Sequence, residues 1–241
     1  MPAEQPPAAA AAPQPVLSIV VPVYNEVRTV LTVVDRLAAV PFPVPREIIV
    51  VDDGSSDGTT EALGALDGRP EITVVRCSPN QGKGAAIRQG LERARGRILA
   101  IQDADLELNP AQLLPLTQPL LSGTAQVVYG SRFLGGRPQM TLLSRLANRA
   151  LTALTNLLCR GRITDMETCY KIVPVDVLRS LRLESRRFEI EVEITAKLLR
   201  RGYRITELPV NVESRSRATG KKIGWRDGAK AVRALLRYRR F

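Results

Sequence analysis

Residues 47–65 read EIIVVDDGSSDGTTEALGA. The run Glu47–Val51 is apolar and β-branched, as in a strand covered on both faces. It ends on Asp52-Asp53. Gly54 lets the chain turn sharply, and Ser55, Ser56 or Asp57 can cap the helix expected over Gly58–Ala65. This unit of strand, acidic turn and helix recurs. Val16–Val23, Ile72–Val75, Arg97–Ile101 and Gln126–Tyr129 are further apolar runs. Helical patterns lie near Val27–Ala39, Gly84–Ala94 and Pro110–Leu121. Regular strand–helix alternation implies parallel pairing and an α/β fold, a three-layer α/β/α sandwich around a mostly parallel central sheet. Sheets of this kind bind ligands at the carboxyl ends of their strands, near a switch in strand order. Chemistry is therefore expected just after each apolar run.

Outside this frame, residues 1–15 contain six Ala and five Pro and read as a disordered tail without a basic leader. After about residue 131 the alternation loosens. Met140–Leu158 is a long amphipathic stretch, Phe188–Leu199 a helix, Tyr203–Val210 a strand and Trp225–Tyr238 a basic terminal helix. The chain of 241 residues carries 35 Lys and Arg against 24 Asp and Glu. The excess is confined: the first 158 residues balance at 14 of each sign, and residues 159–241 hold 21 basic and 10 acidic side chains. There is no histidine, which excludes a His base, a His metal ligand and a Ser-His-Asp triad. Three cysteines are too few and too scattered for a disulfide framework or zinc ribbon, and no apolar run approaches the roughly 18 residues of a spanning helix.

Three further segments carry chemistry. Ile98–Gln102 runs into Asp103-Ala104-Asp105-Leu106-Glu107. Carboxylates at i and i+2 on an extended segment point to the same side. They repel and commonly need a compensating cation; Mg²⁺ or Mn²⁺ with bound diphosphate fits, and a loop of solvated acids before Asn109-Pro110 is the plainer alternative. Asn80-Gln81-Gly82-Lys83-Gly84 opens a helix whose N-terminus suits either phosphate or a plain helix start. It lacks the Gly spacing and the Ser or Thr of an ATPase loop. Gly130-Ser131-Arg132 follows the fifth apolar run, and residues 213–222 form a polar, basic loop. Arg binds phosphate oxygens bidentately.

Taken together, V-P-V-Y-N-E at 21–26, V-V-D-D-G-S-S-D-G-T at 50–59, N-Q-G-K-G at 80–84, D-A-D at 103–105, G-S-R at 130–132, D-M-E-T-C-Y-K at 165–171 and R-S-R-A-T-G-K at 215–221 resemble the inverting glycosyltransferases of family 2, with the Rossmann-like GT-A fold. Within that family the chain looks like the dolichol- or polyprenyl-phosphate mannosyl- and glucosyltransferases. The resemblance implies a nucleotide-binding half over about 16–130, an acceptor half over about 131–222 and a basic amphipathic helix over 223–241. By the same resemblance Pro22, Tyr24, Glu26, Val51 and Asp53 line the nucleotide, and Lys83 assists it. Asp103, Ala104 and Asp105 hold diphosphate, and Asp103, Asp105 and Glu107 hold Mg²⁺ or Mn²⁺. Arg132 faces the phosphates or the acceptor, and Arg215 and Lys221 close over the donor. Asp105 and Arg132 are the expected catalytic pair.

A lipid phosphate is already ionised at neutral pH, so transfer to it needs positioning and charge neutralisation rather than a base. Arg132, Arg145 and Arg149 are the expected acceptor-phosphate contacts. Arg145 and Arg149 share a helix face at i and i+4, on a stretch that reads equally well as a core helix with a solvated basic face. The expected partners are a nucleotide sugar, a lipid phosphate and an anionic membrane on its cytoplasmic side. The terminal residues Trp225, Leu235, Leu236, Tyr238 and Phe241 are expected to seat in that membrane. A rival within the family transfers to a saccharide or soluble hydroxyl and needs a carboxylate base, for which Asp165 and Glu167 are the candidates. A rival outside it, a nucleic-acid-binding module, fits the net charge of +11 but not the 4% aromatic content.

Overall fold

Seven strands and eight α-helices follow one another in the computed structural model, which describes residues 14–135, 140–212, 225–239 and 241. In chain order they are β1 (Leu17–Val23), α1 (Val30–Ala38), β2 (Arg46–Asp53), α2 (Thr59–Ala62), β3 (Ile72–Cys77), α3 (Lys83–Arg93), β4 (Ile98–Ile101), α4 (Leu113–Leu121), β5 (Val127–Ser131), α5 (Leu142–Cys159), β6 (Lys171–Pro174), α6 (Val175–Ser180), α7 (Ile190–Arg200), β7 (Ile205–Pro209) and α8 (Trp225–Tyr238). Every residue of β1, β4 and β5 is buried. That is why these strands read as unbroken apolar runs rather than alternating ones. The helices that cover them are amphipathic: α1 buries Val30, Val33, Val34 and Leu37, the i, i+3, i+4, i+7 stripe of a helix on a sheet. It starts at Val30 rather than Val27 because the Thr29 N–H closes a turn on the Glu26 carbonyl at 3.0 Å.

The strand order is β3-β2-β1-β4-β6-β5-β7. β1 pairs in parallel with both β2 and β4, and β5 in parallel with β7. β6 is antiparallel to β4 and β5. The expected parallel α/β frame is present, with one reversed strand between β4 and β5. β6 escaped the sequence reading because it is only four residues long and begins with a lysine. The two expected halves share one continuous sheet.

A second apolar cluster lies beside the main core. Cys159, Ile163, Met166, Val192 and Ala196 pack with Ala231, Ala234, Leu235 and Tyr238 of α8. This corrects the membrane-seated reading for Leu235 and Tyr238; Leu236 and Phe241 are exposed, and the side chain of Trp225 lies outside the described residues. Leu235 and Tyr238 are buried within the protein, each burial contributing about 1.5–3 kcal/mol, and Lys197 and Arg201 lie over the Phe241 ring at 4.6 and 4.9 Å. An amphipathic helix buries its apolar stripe wherever a complementary surface is nearest, and here α5 and α7 supply one. No helix among the described residues is long and apolar enough to cross a membrane.

Candidate active site

The topology gathers the polar motifs at one edge of the sheet. Six strands run one way, so β1, β2, β4 and β5 end together. β6 runs the other way, so its amino end, and the segment 165–171 leading into it, reaches the same edge. Strand order reverses between β1 and β4, the place where α/β sheets open a crevice.

At the β1–β2 side the carboxylates are held by neutral donors. Asp52 Oδ1 accepts from the Ser55 N–H at 3.1 Å and the Ser55 hydroxyl at 2.6 Å, and Oδ2 from the Thr60 hydroxyl at 2.5 Å. Asp53, expected at the nucleotide, is buried and accepts three donors from one loop. The Asn80 side-chain amide and the Gly82 N–H reach Oδ2 at 2.8 and 2.6 Å, and the Gln81 N–H reaches Oδ1 at 3.0 Å. Two of the N–H groups that a phosphate would have used at 80–84 are therefore directed at Asp53. Gly54, with φ +73°, fits against this loop, since a Cβ there would stand 2.9 Å from the Asn80 nitrogen. Pro22 and Val51 are register partners and both are buried, Ala104 is buried, Tyr24 is exposed, and Glu26 accepts from the Thr29 hydroxyl at 2.7 Å.

At the β4 side the carboxylates are held by cations. Lys83 Nζ lies 2.8 Å from Asp103 Oδ1 and 2.9 Å from Glu191 Oε1, and Lys171 Nζ lies 2.5 Å from Glu191 Oε2. The chain Asp103–Lys83–Glu191–Lys171 thus joins the acidic loop after β4 to α3, α7 and β6. Burial alone would raise the Asp103 carboxyl, but the Lys83 ammonium outweighs it and holds Asp103 below its ordinary range. Burial also opposes the Lys83 charge, and Asp103 and Glu191 overcome it, raising Lys83 well above its ordinary value. Asp105 and Glu107 are half-buried on the same loop, with the Glu107 N–H donating to Asp105 Oδ1 at 3.1 Å. Asp103 is committed to Lys83. The oxygen donors Asp105 and Glu107 fit Mg²⁺ or Mn²⁺, which are commonly held by one or two carboxylates together with substrate phosphate. Among the described residues no three His, Cys, Asp or Glu side chains converge into a cage of protein ligands alone.

At the β5 side Arg132 meets Asp165 as a fork. Nε lies 2.7 Å from Oδ2, Nη2 lies 2.7 Å from Oδ1, and the Arg132 backbone N–H donates to Oδ2 at 3.0 Å. Asp165 is fully buried, and its own backbone is clamped by Glu207, which accepts from the Thr164 and Asp165 N–H groups at 2.7 and 3.0 Å. Asp165 is thus a positioning residue for Arg132. Glu167 behaves differently. Burial, with Glu191 nearby, pushes its carboxyl up to about 7 against the pull of Lys171 and Arg132. Arg149 stacks over Phe133 at 5.3 Å, next to Arg132 in the chain. Arg145 is half-buried, and its Nε has no hydrogen-bond partner among the described residues. Arg215 and Lys221, expected to close over the donor, lie outside the described residues.

Glu191 is the component the sequence reading missed, and Lys171 had been quoted in a motif without a role. Glu191 sits in a helix buried on every side from Ile190 to Leu198. Charged residues inside so apolar a helix were the available signal, because a buried charge demands a partner.

A family model described as "Glycosyl transferase family 2" matches residues 18–182. Among curated proteins, glycosyltransferase AglD of Haloferax volcanii is 31% identical over 222 residues, covering 88% of this chain and 35% of that protein. Dodecaprenyl-phosphate galacturonate synthase of Rhizobium johnstonii is 30% identical, covering 71% of this chain and 52% of its own length. Undecaprenyl-phosphate mannosyltransferase of Micrococcus luteus is 31% identical, covering 85% of this chain and 86% of its own length. The chain therefore spans about a third of the first relative and about half of the second. Glucosyl-3-phosphoglycerate synthase from Mycobacterium tuberculosis, solved with uridine diphosphate, superposes with a TM-score of 0.72 at 22% identity, over 94% of this chain and 81% of that one. Solved with Mn²⁺, uridine diphosphate and phosphoglyceric acid, it gives 0.73 at 21% identity, over 93% and 78%. At these identities the likeness is one of fold.

Proposed function

The chain belongs to glycosyl transferase family 2, and from that premise we propose that it moves a hexose, with inversion, from a nucleotide sugar to a polyprenyl or dolichyl phosphate. The observation that carries the reading is the Arg132 fork. Asp165 anchors Nε and Nη2, so the guanidinium stands fixed at the edge that also carries Asp103 and Asp105, and among the described residues its Nη1 makes no hydrogen bond. A rigid arginine in that place suits a phosphate acceptor. Two of the relatives are named for lipid-phosphate acceptors, which supports the same reading. GDP-mannose and UDP-glucose are the expected donors, and the cytoplasmic face of a membrane is the expected place of work.

In this mechanism the acceptor phosphate supplies an ionised oxygen and the protein supplies alignment. Arg132 orients that oxygen opposite the departing diphosphate. Lys83 keeps Asp103 ionised and in place, and Glu191 and Lys171 fix Lys83. Asp105 and Glu107 would hold Mg²⁺ or Mn²⁺, whose chemistry when bound is to neutralise charge on the leaving diphosphate. Glu167 supports a second reading. A carboxyl poised near neutrality suits a general base for a hydroxyl acceptor.

One panel tests both. Purified protein is offered GDP-mannose, UDP-glucose and UDP-N-acetylglucosamine with polyprenyl phosphate or saccharide acceptors and either metal. Metal-dependent transfer to polyprenyl phosphate, lost in Asp105→Ala and retained in Glu167→Gln, is the expected result. Absence of transfer and of hydrolysis with every donor overturns the proposal. Transfer to a saccharide that Glu167→Gln abolishes establishes the second reading in its place.

A further inference from the structure

Helix α5 is apolar on two faces, and on the inner one Leu151, Leu154 and Leu158 pack, partly buried, against the second apolar cluster. Its buried residues are Thr152, Thr155 and Cys159, while Leu142, Leu143, Leu146 and Leu157 are 72, 79, 56 and 77% exposed. Ala150 and Ala153 are exposed between them. At 100° per residue the positions 142, 146, 150, 153 and 157 form one stripe along the whole helix, and it contains no polar side chain. An 18-residue helix is about 27 Å long. An exposed apolar stripe of that length on a surface helix marks an interaction site.

We propose that this stripe is the face on which the chain docks onto an anionic lipid bilayer, beside the site that takes the lipid phosphate; the proposal rests on the polyprenyl-phosphate reading above. Charge argues for lipid. The helix has no acidic residue and carries Arg145 and Arg149, with Arg149 exposed at the border of the stripe. This is the arrangement by which a helix in the plane of a membrane buries leucines and pairs arginines with headgroups. Continuity argues for it as well. Arg149 stacks on Phe133, one residue from Arg132, so the stripe begins where the acceptor phosphate is expected, and exposed Leu134 follows directly. A second copy of the chain is the weaker occupant. One helix face about 27 Å long and 10 Å wide offers a few hundred Å², against roughly 800 Å² per partner in a stable interface.

The test uses the full chain and the exposed-site variant Leu143→Glu/Leu146→Glu/Leu157→Glu. Flotation with phosphatidylcholine vesicles, with and without phosphatidylglycerol, reads docking. Transfer to long-chain polyprenyl phosphate in vesicles and to a short water-soluble prenyl phosphate reads catalysis. The wild type is expected to float with anionic vesicles and the variant to lose at least about tenfold of that binding. The variant is also expected to lose transfer in vesicles, with soluble-acceptor transfer and melting temperature unchanged. A wild type that stays unbound, or a variant that binds equally, overturns the docking face. So does a wild-type dimer in sedimentation velocity that the variant converts to monomer while neither binds vesicles. If neither prenyl phosphate is glycosylated by the wild type, the acceptor reading fails, while flotation still decides the docking face by itself.

Discussion

The β1–β2 side and the β4–β5 side of the site both bury carboxylates, but they satisfy them by different means. Asp52 and Asp53 are held by hydroxyls, an amide and backbone N–H groups from loops that follow the strands directly. Asp103, Asp165 and Glu191 are held by Lys83, Arg132 and Lys171, drawn from elements far apart in the chain. The first arrangement sets the shape of a loop. The second ties elements far apart in the chain together through charge, and it leaves each charge dependent on its partner. Most of the described basic residues of the last third are exposed, but two are not. Lys171 and Lys197 are both buried as ion pairs, the latter 2.6 Å from Glu193.

The largest expected effect breaks the cationic side. Glu191→Ala leaves two buried ammonium groups without their shared carboxylate and is expected to cost about 3–5 kcal/mol in urea unfolding. A loss below about 1 kcal/mol would place both regions in one class. Asp53→Asn comes next. It keeps one acceptor for three donors of the 80–82 loop, with an expected loss of about 1–3 kcal/mol by the same measurement. Glu167→Gln sharpens the contrast through pH. A carboxyl whose folded-state value is raised stabilises the fold fully below its ordinary value, and that contribution is lost as pH rises through about 7. The variant is therefore expected to match the wild type near pH 4 and to melt several degrees higher at pH 8. An unchanged difference between the two pH values would remove the raised carboxyl. The smallest effect is the exposed pair Arg76–Asp67 at 3.0 Å, where Arg76→Gln is expected to change stability by less than about 0.5 kcal/mol.

Much of this was legible in the residues. The apolar runs that became β1 to β5 and the acidic turn at 52–58 are written locally, because a doubly covered strand must be apolar along its length. The D-A-D loop was legible for the same reason, since it follows β4 directly. β6 was not. Four residues entered through D-M-E-T-C-Y do not differ from a loop until the neighbours β4 and β5 are in place. Asp165 shows the other limit. It was a base candidate as a sequence residue, and its contacts with Arg132 make it an anchor.

By itself, the sequence determined the α/β frame, the edge where chemistry gathers and the family. Each of these rests on periodicity or on motifs a few residues long. Only the tertiary structure decided which carboxylate meets which cation and which face of each amphipathic helix meets protein. α8 hides Leu235 and Tyr238 against α5 and α7 and leaves Leu236 exposed, while α5 packs Leu151, Leu154 and Leu158 inward and turns Leu142, Leu143, Leu146 and Leu157 outward. Both helices read as amphipathic in the sequence. Periodicity defines a stripe, and only the neighbouring surfaces determine whether that stripe is covered.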